Sequence, residues 1–159
     1  GAGPGDTASV RHIAAGLERL GPERARYLAA FAFVLARVAH ADLRIDAHER
    51  AAIADVLTRL GALAPEEAEL ATDLACEASE QHGGSDHYLA TREFRSLSTR
   101  EQRIELLECL FAVAAADGRI AVGESHEALA IAEELGFTRP EALAVRSRFR
   151  EHLAELARG

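Results

Sequence analysis

Two short acidic segments of this chain carry the residues best suited to hold a cation. Residues 39–49 read AHADLRIDAHE and residues 114–124 read AAADGRIAVGE. Each has the form A-D-x-R-I-x-x-x-E, which places an aspartate before a turn and a glutamate one helical turn into the next helix. Oxygen atoms from two such carboxylates can converge on one ion. Ligation by oxygen alone suits calcium, magnesium or manganese.

The two segments, termed the first corner (39–49) and the second corner (114–124), differ in the ligands they offer. The candidate ligands of the first corner are His40, Asp42, Asp46, His48 and Glu49. The second corner offers Asp117 and Glu124, with His126 just beyond it. Imidazole nitrogens would also admit zinc or another transition ion at the first corner. We therefore expect a divalent metal ion, whose identity the sequence leaves open.

The second corner resembles the later part of an EF-hand calcium loop. The loop positions that normally supply the first two side-chain oxygens would fall on Val113 and Ala115, which carry none. The same acids recur in the first corner with the same ligands missing. A duplicated acidic corner is therefore a better interpretation than a decayed EF-hand.

A structural role for the acids is the alternative. Glu49 and Glu124 fall in a predicted first helical turn, where the macrodipole favours a carboxylate by about 0.3–1 kcal/mol. Asp42 and Asp117 instead fall at a predicted helix C-terminus, where negative charge is unfavourable. Loop N–H groups, a nearby arginine (Arg44 or Arg119) or a bound cation would compensate, and the sequence leaves these options open.

The elements that must position the corners are predicted to be helices. Apolar residues recur at the i, i+3, i+4 spacing of a buried helical face in one segment after another, and no stretch alternates as a strand would. The predicted inward positions include Leu28, Phe31, Leu35, Val38, Ile53, Val56, Leu57, Leu60, Leu107, Leu110 and Phe111. Capping boxes are predicted at Asp46 with Glu49 and at Ser98 with Glu101. A helix is predicted to stop at Gly61.

The chain contains an internal repeat. A shift of about 75 residues lays LARVAHADLRIDAHE (35–49) over LFAVAAADGRIAVGE (110–124). We predict an all-α fold, a single compact bundle of about seven to eight helices built from two pseudo-symmetric repeats. The predicted organisation is an N-terminal segment with a short helix at 1–24, including a tag remnant or domain edge at GAGPG, and a helical domain at 25–159. The repeats are predicted at about 27–80 and 98–157.

Composition narrows the classes of partner. The formal net charge is −8, and all 18 basic residues other than histidine are arginines. An acidic chain without a basic run disfavours nucleic acid and anionic membrane surfaces, because its field opposes their approach. No apolar run reaches the roughly 18 residues of a membrane-spanning helix, so direct membrane insertion is not expected. Cys76 and Cys109 lack metal spacing and are predicted to be buried thiols in a reducing, cytoplasmic setting.

The duplicated ADGxI…E corner between alanine-rich helices, with the helix entry LSTREQRIELLECLFAVAAADGRI, resembles the TerB family of tellurite-resistance-associated domains. The resemblance covers roughly residues 25–157. It implies an all-α domain of about seven helices with an acidic surface proposed to bind metal ions, here at Asp42, Glu49, Asp117 and Glu124. Leu43 and Ala121 depart from the family's usual glycine and polar N-cap.

Two functions of different classes follow. The first is a metal-ion-binding or metal-sensing module associated with tellurite resistance or a stress response, with a protein partner in a stress-response complex. The alternative is a non-enzymatic interaction scaffold, recognisable by an exposed apolar patch. Tyr27 and Phe33 lie partly off the core stripe and are candidates for that patch, although the core is the expected place for each. No nucleophile elbow, phosphate loop or HExxH motif occurs, so an enzyme is not expected.

Overall fold

The fold is a bundle of α-helices. The computed structural model describes residues 4–42, 47–81, 87–116 and 126–158. Its elements within those ranges are α1 (Pro4–Leu20), α2 (Pro22–Asp42), α3 (Ala47–Leu60), α4 (Pro65–Gln81), α5 (His87–Leu97), α6 (Arg100–Ala116), α7 (His126–Glu134) and α8 (Arg139–Arg158). No strand occurs in these ranges, which confirms the predicted all-α class. None of the described helices is long and apolar enough to cross a membrane.

Helix α2 lies at the centre of the bundle. It contacts α1, α4, α5, α6 and α7. Its predicted stripe of Leu28, Phe31, Leu35 and Val38 is fully buried, with 0% exposure at each position. Removing such side chains from water is the dominant favourable contribution to folding, about 25 cal/mol for each Å² of apolar surface. The stripe predicted from helical spacing is therefore confirmed.

The helices on either side of the two corners pack crosswise. Helix α3, which follows the first corner, contacts α6, which precedes the second corner. Helix α7, which follows the second corner, contacts α2, which precedes the first. The predicted pseudo-symmetry of the two halves stays a prediction.

Three aromatic rings join α2 to α5. The ring centroid of Phe94 lies 5.4 Å from that of Tyr27 and 5.9 Å from that of Phe31. Tyr27 is buried, and burial, with the nearby charge of Glu105, raises its pKa to about 12. Phe33 is instead 43% exposed. The expectation that Phe33 belongs to the core is therefore wrong, because its side of α2 is left uncovered.

The start of α6 differs from the sequence prediction. The N-cap of α6 is Thr99, whose Oγ1 accepts from the N–H of Gln102 (3.2 Å) while the side chain of Gln102 accepts from the N–H of Thr99 (2.9 Å). The predicted box of Ser98 with Glu101 is thus one residue out of register. Ser98 donates instead to the carbonyl of Phe94 (2.6 Å), which ties it to the end of α5.

Gly61 ends α3 for a reason of packing. The left-handed residue there is Ala62, with φ of 56°. A Cβ on Gly61 would lie 2.7 Å from the carbonyl oxygen of Leu57 and 3.3 Å from Sγ of Cys109. Glycine therefore lets α3 end in close contact with α6. At the corresponding end of α7, Gly136 does adopt the left-handed conformation, with φ of 96°.

Both cysteines are buried and neither forms a disulfide, as the sequence predicted. Burial, reinforced by the charges of Glu108 and Glu105, raises the pKa of the Cys109 thiol far above its ordinary value. A thiol held in the neutral form is a poor nucleophile. Cys109 therefore acts as a small apolar core residue.

An ion pair between α2 and α4 makes stability depend on pH. Glu67 accepts hydrogen bonds from Nε (2.6 Å) and Nη2 (3.0 Å) of Arg24 and from the N–H of Ala64 (3.0 Å). These bonds outweigh the effect of burial and lower the pKa of Glu67. A carboxylate whose folded pKa is lowered stabilises the protein above its unfolded pKa of about 4.3, and this contribution is lost as pH falls through the folded pKa.

The Glu67→Gln variant should therefore unfold more easily at pH 7 and show a shallower loss of stability below about pH 4. Urea unfolding of both proteins between pH 7 and pH 2.5 measures this difference. Glu66→Gln is the matched control, because Glu66 is the exposed neighbour. An equal pH slope in wild type and Glu67→Gln would contradict the assignment.

Candidate metal centre

The structure places some of the predicted ligands at helix ends and leaves others outside the described residues. His40 and Asp42 lie in the last turn of α2, which ends at Asp42, and His48 and Glu49 lie in the first turn of α3. The side chains of these four residues are outside the described part of the chain. Asp46, Asp117 and Glu124 lie outside the described residues altogether. The helix positions predicted for Asp42 and Glu49 are confirmed.

The helix ahead of the second corner ends without a compensating cation of its own. Helix α6 ends at Ala116, directly before Asp117, and its last turn contains no basic residue. The carbonyl groups at a helix C-terminus carry about half a negative charge. A carboxylate at the next position in the chain adds to that charge, which a loop N–H group, Arg119 or a bound cation would have to balance.

Arg37 of α2 is a buried arginine that hydrogen-bonds to three side chains. Its side chain is 8% exposed. Its Nε donates to Oε1 of Glu127 (2.8 Å), Nη1 donates to Oγ1 of Thr91 and Oε1 of Glu134 (both 2.7 Å), and Nη2 donates to Oε2 of Glu134 (3.0 Å). Burial opposes the charge of Arg37, but the bonds and charges of Glu134 and Glu127 prevail and raise its pKa. The guanidinium thus ties α2 to α5 and α7.

This cluster links the two corners through described residues. Arg37 precedes Asp42 by five positions on α2, so the two Cα atoms are about 7.5 Å apart along the helix axis. Its partner Glu127 is the second residue of α7, the helix that follows the second corner. Arg37 therefore fixes the helix that leads into one corner against the helix that leads out of the other.

Sequence reasoning missed this cluster. An arginine in a helical segment usually lies in solvent, and its two acidic partners are 90 and 97 positions away in the chain. A weak signal was available. Glu127 and Glu134 are seven residues apart and so lie on one face of α7, while Arg37 follows the buried Val34 by three positions.

The described acids away from the corners do not form a metal site. Within the described ranges no group of three or more His, Cys, Asp or Glu could hold a metal ion. A groove between α1 and α4 is lined on its polar side by His12, Arg19, Glu66, Glu67, Glu69 and Asp73. Glu67 pairs with Arg24 and Asp73 with Arg50. That groove is therefore partly neutralised.

Comparison with known families gives a match over most of the chain. The family model described as tellurite resistance protein TerB matches residues 28–147, a span that includes both corners and the Arg37 cluster. Comparison with curated proteins and with solved structures gave no match.

Proposed function

The chain belongs to the TerB family, and from that premise we propose that it is a divalent-cation-binding module of a tellurite-resistance or stress-response system. Asp42 and Glu49 at the first corner, and Asp117 and Glu124 at the second, supply the ligand oxygens. Asp46, His40 and His48 add ligands at the first corner. Calcium, magnesium or manganese suits the oxygen set, and zinc suits a set that includes a histidine.

The end of α6 is the observation that carries the proposal. Its last turn has no basic residue, and the chain continues directly into Asp117. A cation bound there would be stabilised by the carboxylate and by the helix dipole together. Arg37 is bound to Glu127 and Glu134, so it is engaged by acids outside the corners.

The crosswise packing supports action by the two corners as one unit. Helix α3 contacts α6, and helix α7 contacts α2. The hydrogen bond from Arg37 to Glu127 joins α2 to α7. An ion bound at one corner would restrain helices that border the other corner. Ion binding at one corner would then change the affinity or the conformation of the other corner, and a sensor requires such coupling.

Calorimetric titration of metal-stripped protein with calcium, magnesium, manganese and zinc tests the proposal. We expect saturable binding of at least one ion, and loss of that binding in the Asp42→Asn/Asp117→Asn double variant. The same ion at 100 times its Kd should stabilise the wild type by about 2.7 kcal/mol. The matched control is Asp55→Asn, because Asp55 is an exposed acid of α3 that pairs with Arg59.

The alternative function is an interaction scaffold in which the corner acids only cap helices. One observation favours it, the exposure of Phe33 (43%) on α2 and Leu89 (58%) on α5. Folded wild-type protein that binds none of the four ions would favour the scaffold. Binding that the double variant retains would place the ion elsewhere and exclude the corners as ligands.

A further inference from the structure

A basic groove lies on the face of the bundle formed by α5, the start of α6 and the end of α7. It is lined by Arg92, Arg95, Ser96, Arg103 and Glu134. The chain as a whole has a formal net charge of −8. Three arginines at one groove of such a chain form a local reversal of sign, which favours a small anion over the cations that the rest of the surface attracts.

Neutral groups hold two of the three arginines in place. Arg103 donates from Nε to Oγ of Ser98 (3.1 Å) and from Nη2 to the carbonyls of Arg95 (3.0 Å) and Ser98 (2.9 Å). Arg95 donates from Nη1 to the carbonyl of Glu134 (3.3 Å). Carbonyl and hydroxyl partners restrict the side chains without cancelling their charge. These arginine side chains have therefore already lost part of their conformational entropy in the free protein. Binding of a ligand then costs less, because less of that entropy remains to be lost.

Among the described residues, Glu134 is the one acidic residue that lines the groove, and Arg37, which does not line the groove, neutralises it. Both carboxylate oxygens of Glu134 accept hydrogen bonds from Arg37 (2.7 and 3.0 Å). Arg92 is exposed and has no ion-pair partner among the residues that the structure describes. Arg92 and Arg95 are three residues apart on α5, so they project from the same face of that helix. The balance of charge in the groove is thus positive.

We propose that this groove binds a small oxyanion, a group with several charged oxygens on one central atom. Guanidinium groups form paired N–H···O bonds with such oxygens, which a lysine ammonium cannot do. A phosphate group has this chemistry, and so does the tellurite ion after which the family is named. The described residues that line the groove include none from the corners, and the proposal does not depend on ion binding at the corners.

The test is an NMR titration of the full chain with inorganic phosphate and, separately, with tellurite. A chelator removes metal ions, ionic strength is held constant with sodium chloride, and backbone amides and arginine Nε–H groups are followed. We expect saturable shifts confined to residues 92–103 and 134–136. Arg92→Gln should bind at least ten-fold more weakly, and Arg92→Gln/Arg95→Gln should show no saturable shift.

The control is Arg59→Gln, which makes the same charge change at an exposed arginine of α3. It should bind as the wild type does. Saturation by phosphate alone identifies the ligand as a phosphate group, and saturation by tellurite alone identifies tellurite. The proposal is overturned if neither anion saturates the groove, or if Arg59→Gln weakens binding as much as Arg92→Gln.

Discussion

Replacing Arg37 with methionine is expected to lower the free energy of unfolding by about 3 kcal/mol. The guanidinium is nearly fully buried and is the shared partner of Glu127 and Glu134, whose side chains are 28% and 23% exposed. Without it, two partly desolvated carboxylates on one face of α7 are left without their cation. Their partial exposure keeps the expected cost at the lower end of the range for a broken buried pair. Urea unfolding followed by circular dichroism measures the change.

Two further variants separate the loss of charge balance from the loss of packing. Arg59→Met removes an arginine whose pair with Asp55 is exposed, and it should change stability by less than about 0.5 kcal/mol. Adding Glu127→Gln and Glu134→Gln to Arg37→Met should recover part of the loss, because the unpaired charges are then gone. A loss below about 1 kcal/mol in Arg37→Met would contradict a stabilising role for the cluster.

Replacing Phe94 with alanine is expected to cost about 4 kcal/mol. Phe94 is 0% exposed, and its ring contacts Tyr27 and Phe31 at centroid distances of 5.4 and 5.9 Å. The variant loses the transfer free energy of the ring, leaves a cavity between α2 and α5, and breaks two aromatic contacts worth about 0.5–1.5 kcal/mol each. The expected cost of about 4 kcal/mol already includes part of the loss of the two aromatic contacts.

Phe33→Ala is the matched control for Phe94→Ala. Phe33 is the same residue type on the neighbouring helix, but it is 43% exposed. Its removal should cost about 1 kcal/mol or less. Equal losses in the two variants, measured by urea unfolding under the same conditions, would mean that the packing described for α2 and α5 is wrong.

Much of the fold could be predicted because helical spacing reports burial directly. Leu28, Phe31, Leu35 and Val38 occupy one face of α2, and that face lies wholly in the core. The same periodicity could not settle Phe33, since its burial depends on whether a neighbouring helix covers that side of α2. The spacing of apolar residues identifies the apolar face of a single helix. Whether a neighbouring helix covers a residue at the edge of that face depends on how the whole bundle packs.

The ends of the helices were predicted less well, for a local reason. Ser98 and Thr99 are both good N-caps, each with an acceptable partner three residues later, so the sequence favours neither strongly. Packing decides between them, because Ser98 is held by the carbonyl of Phe94 at the end of α5. Gly61 likewise matched the rule for a helix C-terminus but serves a close contact with Cys109.

The sequence predicted the acidic residues of the candidate metal site. It did not predict the Arg37 cluster, which connects the helices that border the two corners. The repeat pointed to Asp42, Glu49, Asp117 and Glu124 because both copies carry them at the same spacing. Arg37 has no charged counterpart at the corresponding position of the second half, which is Ala112. A feature present in one copy alone gives no signal in a repeat, and its partners are far away along the chain.

Paramagnetic broadening by manganese tests the central claim most directly, because the broadened amides show where the ion lies. Small additions of manganese to metal-stripped, isotope-labelled protein should first broaden the amides of residues 40–49 and 117–126. Calcium or magnesium in excess should restore those signals, and the Asp42→Asn/Asp117→Asn variant should lose the selective broadening. Broadening centred instead on the groove around His12, Glu66 and Asp73, or no selective broadening in folded wild-type protein, would contradict the assignment of the corners as cation sites.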